Sequence, residues 1–150
     1  MAGFCRLLFA GAWIAGLGWG AEKRLELAKL PSAVQKAIHD QANGDEIRSI
    51  TQETEKGRIQ YEVETIRNGK HRDFDVDTNG GILEIEEESA FDSLPEAAKQ
   101  AITKKVASGK VGKVEIVTAG GATLYEAAYT ARNGKKHEIR VKPDGTEIKD

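Results

Sequence analysis

Two hydrophobic periods alternate along this chain. Leu30, Val34, Ala37 and Ile38 fall on one face of a helix, with Pro31 near its start, where a missing N–H costs nothing. Ala97, Ala98, Ala101, Ile102 and Val106 form a second helical stripe, and Ser93 and Glu96 ahead of it have capping-box spacing. After each stripe the period drops to two. Ile59 to Val63 alternates, and so does Asp73 to Asp77, with Asn68-Gly69 between them as a strong hairpin signal. Tyr125-Glu126-Ala127, Asn133-Gly134 and Ile139-Arg140-Val141 repeat that order, and Asn79-Gly80 and Asp144-Gly145 each turn into a last short strand. Because one parity of each strand is apolar, Tyr61, Val63, Phe74, Val76, Tyr125, Ile139 and Val141 are predicted to face the helices.

The two passages are one unit written twice. Leu30-Pro31-Ser32-Ala33 matches Leu94-Pro95-Glu96-Ala97 at an offset of 64, which also maps Ala37-Ile38, Gly57 and Tyr61-Glu62 onto Ala101-Ile102, Gly121 and Tyr125-Glu126. A single inserted residue then shifts the offset to 65, mapping Asn68-Gly69-Lys70, Val76 and Gly80 onto Asn133-Gly134-Lys135, Val141 and Gly145. A unit of this size buries little apolar surface alone, so the pair is expected to share one sheet. The predicted fold class is α+β: two tandem helix-plus-antiparallel-meander repeats (α-β-β-β-β) sharing one sheet with helices on one face. The repeats are bounded at 21–88 and 89–150.

Residues 1–20 have a different composition. One cation, Arg6, precedes an uncharged apolar run from Leu7 to Trp19, and Gly18-Trp19-Gly20 gives a small-x-small exit. These are the three parts of a secretory signal, and the run is shorter than the roughly 18–20 apolar residues a spanning helix needs. The expectation is an exported chain, periplasmic or extracellular, with no stable membrane insertion after cleavage. Removing 1–20 takes away both Trp, Phe4, Phe9 and the only cysteine, Cys5, so no disulfide, thiolate nucleophile or Cys-ligated zinc is expected.

Leu-Pro-x-Ala, then Ala-Ile, a Tyr-Glu strand, Asn-Gly-Lys and Val-Asp-x-x-Gly together resemble the PepSY-like domain, and more narrowly the group related to the β-lactamase inhibitor protein. The resemblance covers both repeats, roughly 30–87 and 94–150. It implies a tandem helix-plus-sheet protein outside the cytoplasm that binds or restrains other proteins or peptides, peptidases included. The cysteine-free mature chain departs from the disulfide-bearing inhibitor, which weakens β-lactamase itself as a target.

Charge and motifs narrow the function further. With 22 Lys+Arg against 24 Asp+Glu, a binder of nucleic acid by bulk charge is not expected. No nucleophile elbow, His-Glu-x-x-His or phosphate loop occurs, so no catalytic residue and no cofactor are assigned. His39 lies off the apolar helix face, and His71 and His137 follow the Asn-Gly turns, without metal spacing. One formal match is calcium-like: Asp75, Asp77, Asn79 and Gly80 with Glu86 at the twelfth position. Strand alternation through Asp77 and a hairpin signal just upstream favour a β-turn there, leaving calcium as the alternative function.

The polar parity supplies the candidate docking surface. If helices cover one face, Glu62, Glu64, Asp73 and Asp75 go to the other, joined by Glu126, Lys136, Glu138, Arg140 and Lys142 from the second unit. An acidic half beside a basic half is expected there, able to steer a protein or peptide partner.

Overall fold

The computed structural model describes residues 24–55 and 57–149, so the predicted signal at 1–20 lies outside the described residues. Two short 3₁₀ turns, Leu27–Lys29 and Phe91–Ser93, lead into helices α1 (Ser32–Ala42) and α2 (Glu96–Val106). Four strands follow each helix: β1 (Glu46–Glu55), β2 (Arg58–Arg67), β3 (Lys70–Asp77) and β4 (Ile82–Glu88), then β5 (Lys110–Ala119), β6 (Ala122–Thr130), β7 (Lys136–Val141) and β8 (Glu147–Ile148). They form one antiparallel sheet in sequence order, β1 through β8, so every neighbour in space is a neighbour in the chain. β4 and β5 pair across the midpoint, which makes the sheet continuous.

The apolar parity is buried as the alternation predicts. Under α1, Val34, Ile38 and Ala42 pack on Ile50, Tyr61, Val63, Phe74 and Val76. Under α2, Ala98, Ile102 and Val106 pack on Val114, Ala127, Ile139 and Val141, with Tyr125 partly buried beside them. The capping box does not form: Pro95 occupies the N-cap of α2 with no side-chain cap bond, and Ser93 Oγ donates to the Ala90 carbonyl instead. The preceding 3₁₀ turn ends at Ser93 and places it outside the helix start.

The hairpin turns explain the one-residue insertion. Asn68 and Gly69 both have positive φ, 52° and 79°, as a two-residue type I′ loop between paired Arg67 and Lys70 requires. Residues 132–134 make a three-residue loop, closed by the Ala131 N–H on the Lys135 carbonyl and the Gly134 N–H on the Ala131 carbonyl. Only Gly134 has positive φ there, so the extra residue changes the turn and leaves the strands in register.

The β3–β4 and β7–β8 turns also touch the helices. A Cβ on Gly80 would lie 2.6 Å from the Ala33 carbonyl oxygen, and one on Gly145 would lie 2.6 Å from that of Ala97. Gly80→Ala is therefore expected to cost about 1–3 kcal/mol from backbone strain at φ +86°, with an added clash cost. Gly69→Ala, with φ +79° and open space, should show the strain alone. Urea melts of the two variants measure the difference, and equal costs would remove the contact argument.

Candidate functional site

Both helices pack on one side, so the polar parity of the strands forms the other side, which no helix covers among the described residues. Register brings the carboxylates of separate strands into rows. Glu64, Asp73 and Glu86 align across β2, β3 and β4, and Glu62, Asp75 and Glu84 form the next row. Glu88 pairs with Glu115, which pairs with Glu126, which pairs with Arg140. The face holds a groove of about 910 Å³ running from β2 to β7.

Like charges packed this closely need counter-charges, and two of the chain's own cations supply them. The Arg140 guanidinium lies 2.6 Å from Glu126, 3.3 Å from Glu84 and 3.6 Å from Glu86. Lys113 Nζ lies 2.6 Å from Glu115 and 4.0 Å from Asp73. Burial disfavours the charge on Arg140 and Lys113, yet their carboxylate partners outweigh it and hold both pKa values above the ordinary range. Burial raises the Glu126 pKa, and Arg140 offsets this only in part. Burial likewise raises Asp73 against the pull of Lys113 and of the Thr65 N–H. Glu138 is pushed up to about 7, by burial first and then by Glu126, against Arg140.

These shifts set a pH dependence of stability. A carboxyl with a raised native pKa binds more protons folded than unfolded, so its favourable contribution is present at low pH and lost as pH rises through the native value. For Glu138 that window runs from about 4.5 to about 7, and Asp73 and Glu126 act in the same direction. The urea midpoint is expected to be higher at pH 5 than at pH 7.5, with a smaller difference in Glu138→Gln. A variant slope equal to wild type would mean that Glu138 does not titrate in this window.

The structure sorts the sequence-based docking residues into four groups. Glu62, Glu64, Asp73 and Lys136 line the groove. Asp75 is buried on the same face and accepts a hydrogen bond from Gln60 Nε2 at 3.3 Å. Lys142 lies past the end of β7, in the turn closed by its N–H on the Thr146 carbonyl. Arg140 corrects the expected basic half: its side chain is only 11% exposed and its charge is neutralised within the face. The expected two halves are interleaved, with acids on β2, β3, β4, β5, β6 and β7.

The calcium-like spacing does not wrap into a loop. Asp75 and Asp77 lie on β3, Asn79-Gly80 in the turn and Glu86 on β4. The Asp77 carboxylate accepts the Asn79 and Gly81 N–H groups at 2.8 Å each, an Asx-type closure of a β-turn. Glu86 joins a different group, in which Asp73, Glu86 and Glu115 bring one oxygen each within 4.8 Å of one another. The Lys113 ammonium sits against two of those three.

Sequence reasoning missed Glu84, Glu88, Lys113 and Glu115 as members of this face. The signal was present as a period-two run, Glu84-Glu86-Glu88, on β4. It also missed a charged cluster on the helix side: Arg72 donates to the Gln41 carbonyl near the end of α1 and pairs with Asp45 and Glu87, while Arg67 Nε holds Asp45 at 2.7 Å. Arg72 thereby serves a helix C-terminus, where cations are favoured.

The class defined by this arrangement is an α+β protein with two helices on one eight-stranded antiparallel meander. Solved structures of the same class include a candidate periplasmic protein from Bacteroides eggerthii DSM 20697, 18% identical, with a TM-score of 0.65 over 80% of this chain and 86% of that one. A DUF2874 family protein from Bacteroides uniformis ATCC 8492 is 18% identical, with a TM-score of 0.64 over 79% of this chain and 86% of its own. A BLIP-like protein from Bacteroides fragilis NCTC 9343 is 21% identical, with a TM-score of 0.58 over 80% and 84%. The likeness to the β-lactamase inhibitor group therefore holds at the level of fold. No family model and no curated protein matches the sequence.

Proposed function

We propose that this chain is an exported, non-enzymatic protein built from two PepSY-like units, which binds or restrains another extracytoplasmic protein or peptide through its open sheet face. The observation that carries the reading is the groove itself: a carboxylate-lined, solvent-open surface spanning six strands of one continuous sheet. Strands hold side chains more precisely than loops do, which suits a preformed docking surface. Export is supported by the composition of residues 1–20 and by the periplasmic description of the Bacteroides eggerthii structure.

Carbodiimide labelling of surface carboxylates tests the docking face. With a partner captured from an extracytoplasmic extract, Glu62, Glu64, Asp73 and Glu138 should be protected from labelling. Protection confined to the helix side would overturn the reading. Intact mass from the native host tests export, with the mature chain expected to begin at Ala21.

A further inference from the structure

The groove is not electrically balanced. Eight carboxylates line it against two lysines, with Arg140 beside them shared among Glu126, Glu86 and Glu84, so acids remain in excess there while the chain's formal net charge is only −2. Lys113 is already engaged with Glu115 and Asp73 in the floor. The rims differ from the floor. On β2, Glu64 is exposed and, among the described residues, its carboxylate accepts a side-chain hydrogen bond only from the Ser49 hydroxyl, a neutral donor. On β7, Glu138 keeps solvent access along one side while the groove wall half-surrounds its carboxyl, and it makes no ion pair among the described residues. These strands are five steps apart in the sheet, roughly 24 Å at the usual spacing, or about seven residues of extended chain.

We infer that the groove takes an extended polypeptide segment bearing lysine or arginine, laid across the strands with its cations at the Glu64 and Glu138 rims. This rests on the open face being the docking surface, and it adds the chemistry of the partner. The face already shows the recognition in miniature, since its carboxylates hold one ammonium, Lys113, and one guanidinium, Arg140. A groove wall with acids in excess also focuses the field on an approaching cation. The raised pKa of Glu138 comes first from burial of its carboxyl and then from the same field, with Glu126 and Glu115 raising it and Arg140 and Lys113 opposing. Lys136, His71 and His137 also line the groove. A bound cation expels the Glu138 proton, so binding tightens as pH rises.

The test is calorimetry and amide-shift mapping of the chain with a synthetic ten-residue peptide of alternating lysine and threonine, beside its glutamate-for-lysine counterpart and calcium chloride alone. The lysine peptide is expected to bind one to one, with shifts on β2, β3, β6 and β7, and the glutamate peptide not to bind. Glu64→Gln with Glu138→Gln should weaken binding at least tenfold. Glu26→Gln with Asp40→Asn removes the same charge at exposed sites outside the groove and should weaken it less than twofold. Between pH 6 and 8 the affinity should rise by up to about tenfold for one linked proton near 7. The diagnostic is the part of the rise that Glu138→Gln removes, since that part belongs to the Glu138 carboxyl alone. Equal weakening by the two double variants overturns the inference, as does calcium shifting these residues while the lysine peptide does not. If the lysine peptide fails but a captured partner still protects the face carboxylates, the partner chemistry is wrong and the docking face stands. If protection lies elsewhere, both fall.

Discussion

Replacing Arg140 by Met is expected to destabilise the protein by about 3–5 kcal/mol at neutral pH, because it removes one member of a buried charge cluster and leaves the others uncompensated. The guanidinium reaches Glu126 on the adjacent strand and Glu84 and Glu86 on β4, and its side chain is 11% exposed. Arg140→Lys should recover only part of the loss, since a single ammonium cannot span three carboxylates with a planar fork. The sign of the pH effect separates charge from packing. Without the arginine, Glu126 loses the charge that opposes the effect of its burial and takes up a proton more readily when folded, so the Met variant should regain stability as pH falls from 7.5 to 5. Urea unfolding at the two pH values measures this, and a penalty unchanged at pH 5 would assign it to lost packing.

Phe74→Ala is expected to cost about 3–5 kcal/mol, the range for emptying a large aromatic site in a packed core. The side chain is 1% exposed and sits among Val34, Ile38, Val63 and Val76, between α1 and the sheet. The Arg72 guanidinium lies 5.5 Å from its ring centroid, so truncation also takes away a cation–π contact from a buried charge. In the second half Ile139 lies under α2, where Ile139→Val should cost only about 0.5–1.5 kcal/mol. Chemical denaturation of both variants gives the comparison. A Phe74→Ala midpoint near wild type would contradict its place in the core.

Local signals were legible in proportion to their range along the chain. Alternation at Tyr61, Val63, Phe74 and Val76 placed the core parity correctly, because a strand sends neighbouring side chains to opposite faces whatever lies beyond it. Asn68-Gly69 gave its turn because both residues tolerate positive φ. The Ser93/Glu96 capping box failed because the chain enters α2 through a 3₁₀ turn and Pro95. β1 and β5 carry weaker apolar alternation, and a bulge interrupts each where it pairs with the next strand, so their bounds were not read from the pattern.

The sequence by itself determined the two-period grammar, the parity of the core and the residues offered to the open face. Those features depend on spacing within a dozen residues, which the pleat and the helix pitch convert directly into sides. Tertiary structure alone decided what each offered residue became. Arg140 meets Glu84, 56 positions away, only because β4 pairs with β5 and the following strands keep their register. Lys113 meets Asp73 for the same reason. Coulomb energy follows distance in space, so the division between cations neutralised within the face and carboxylates left at its rims is fixed by cross-strand register.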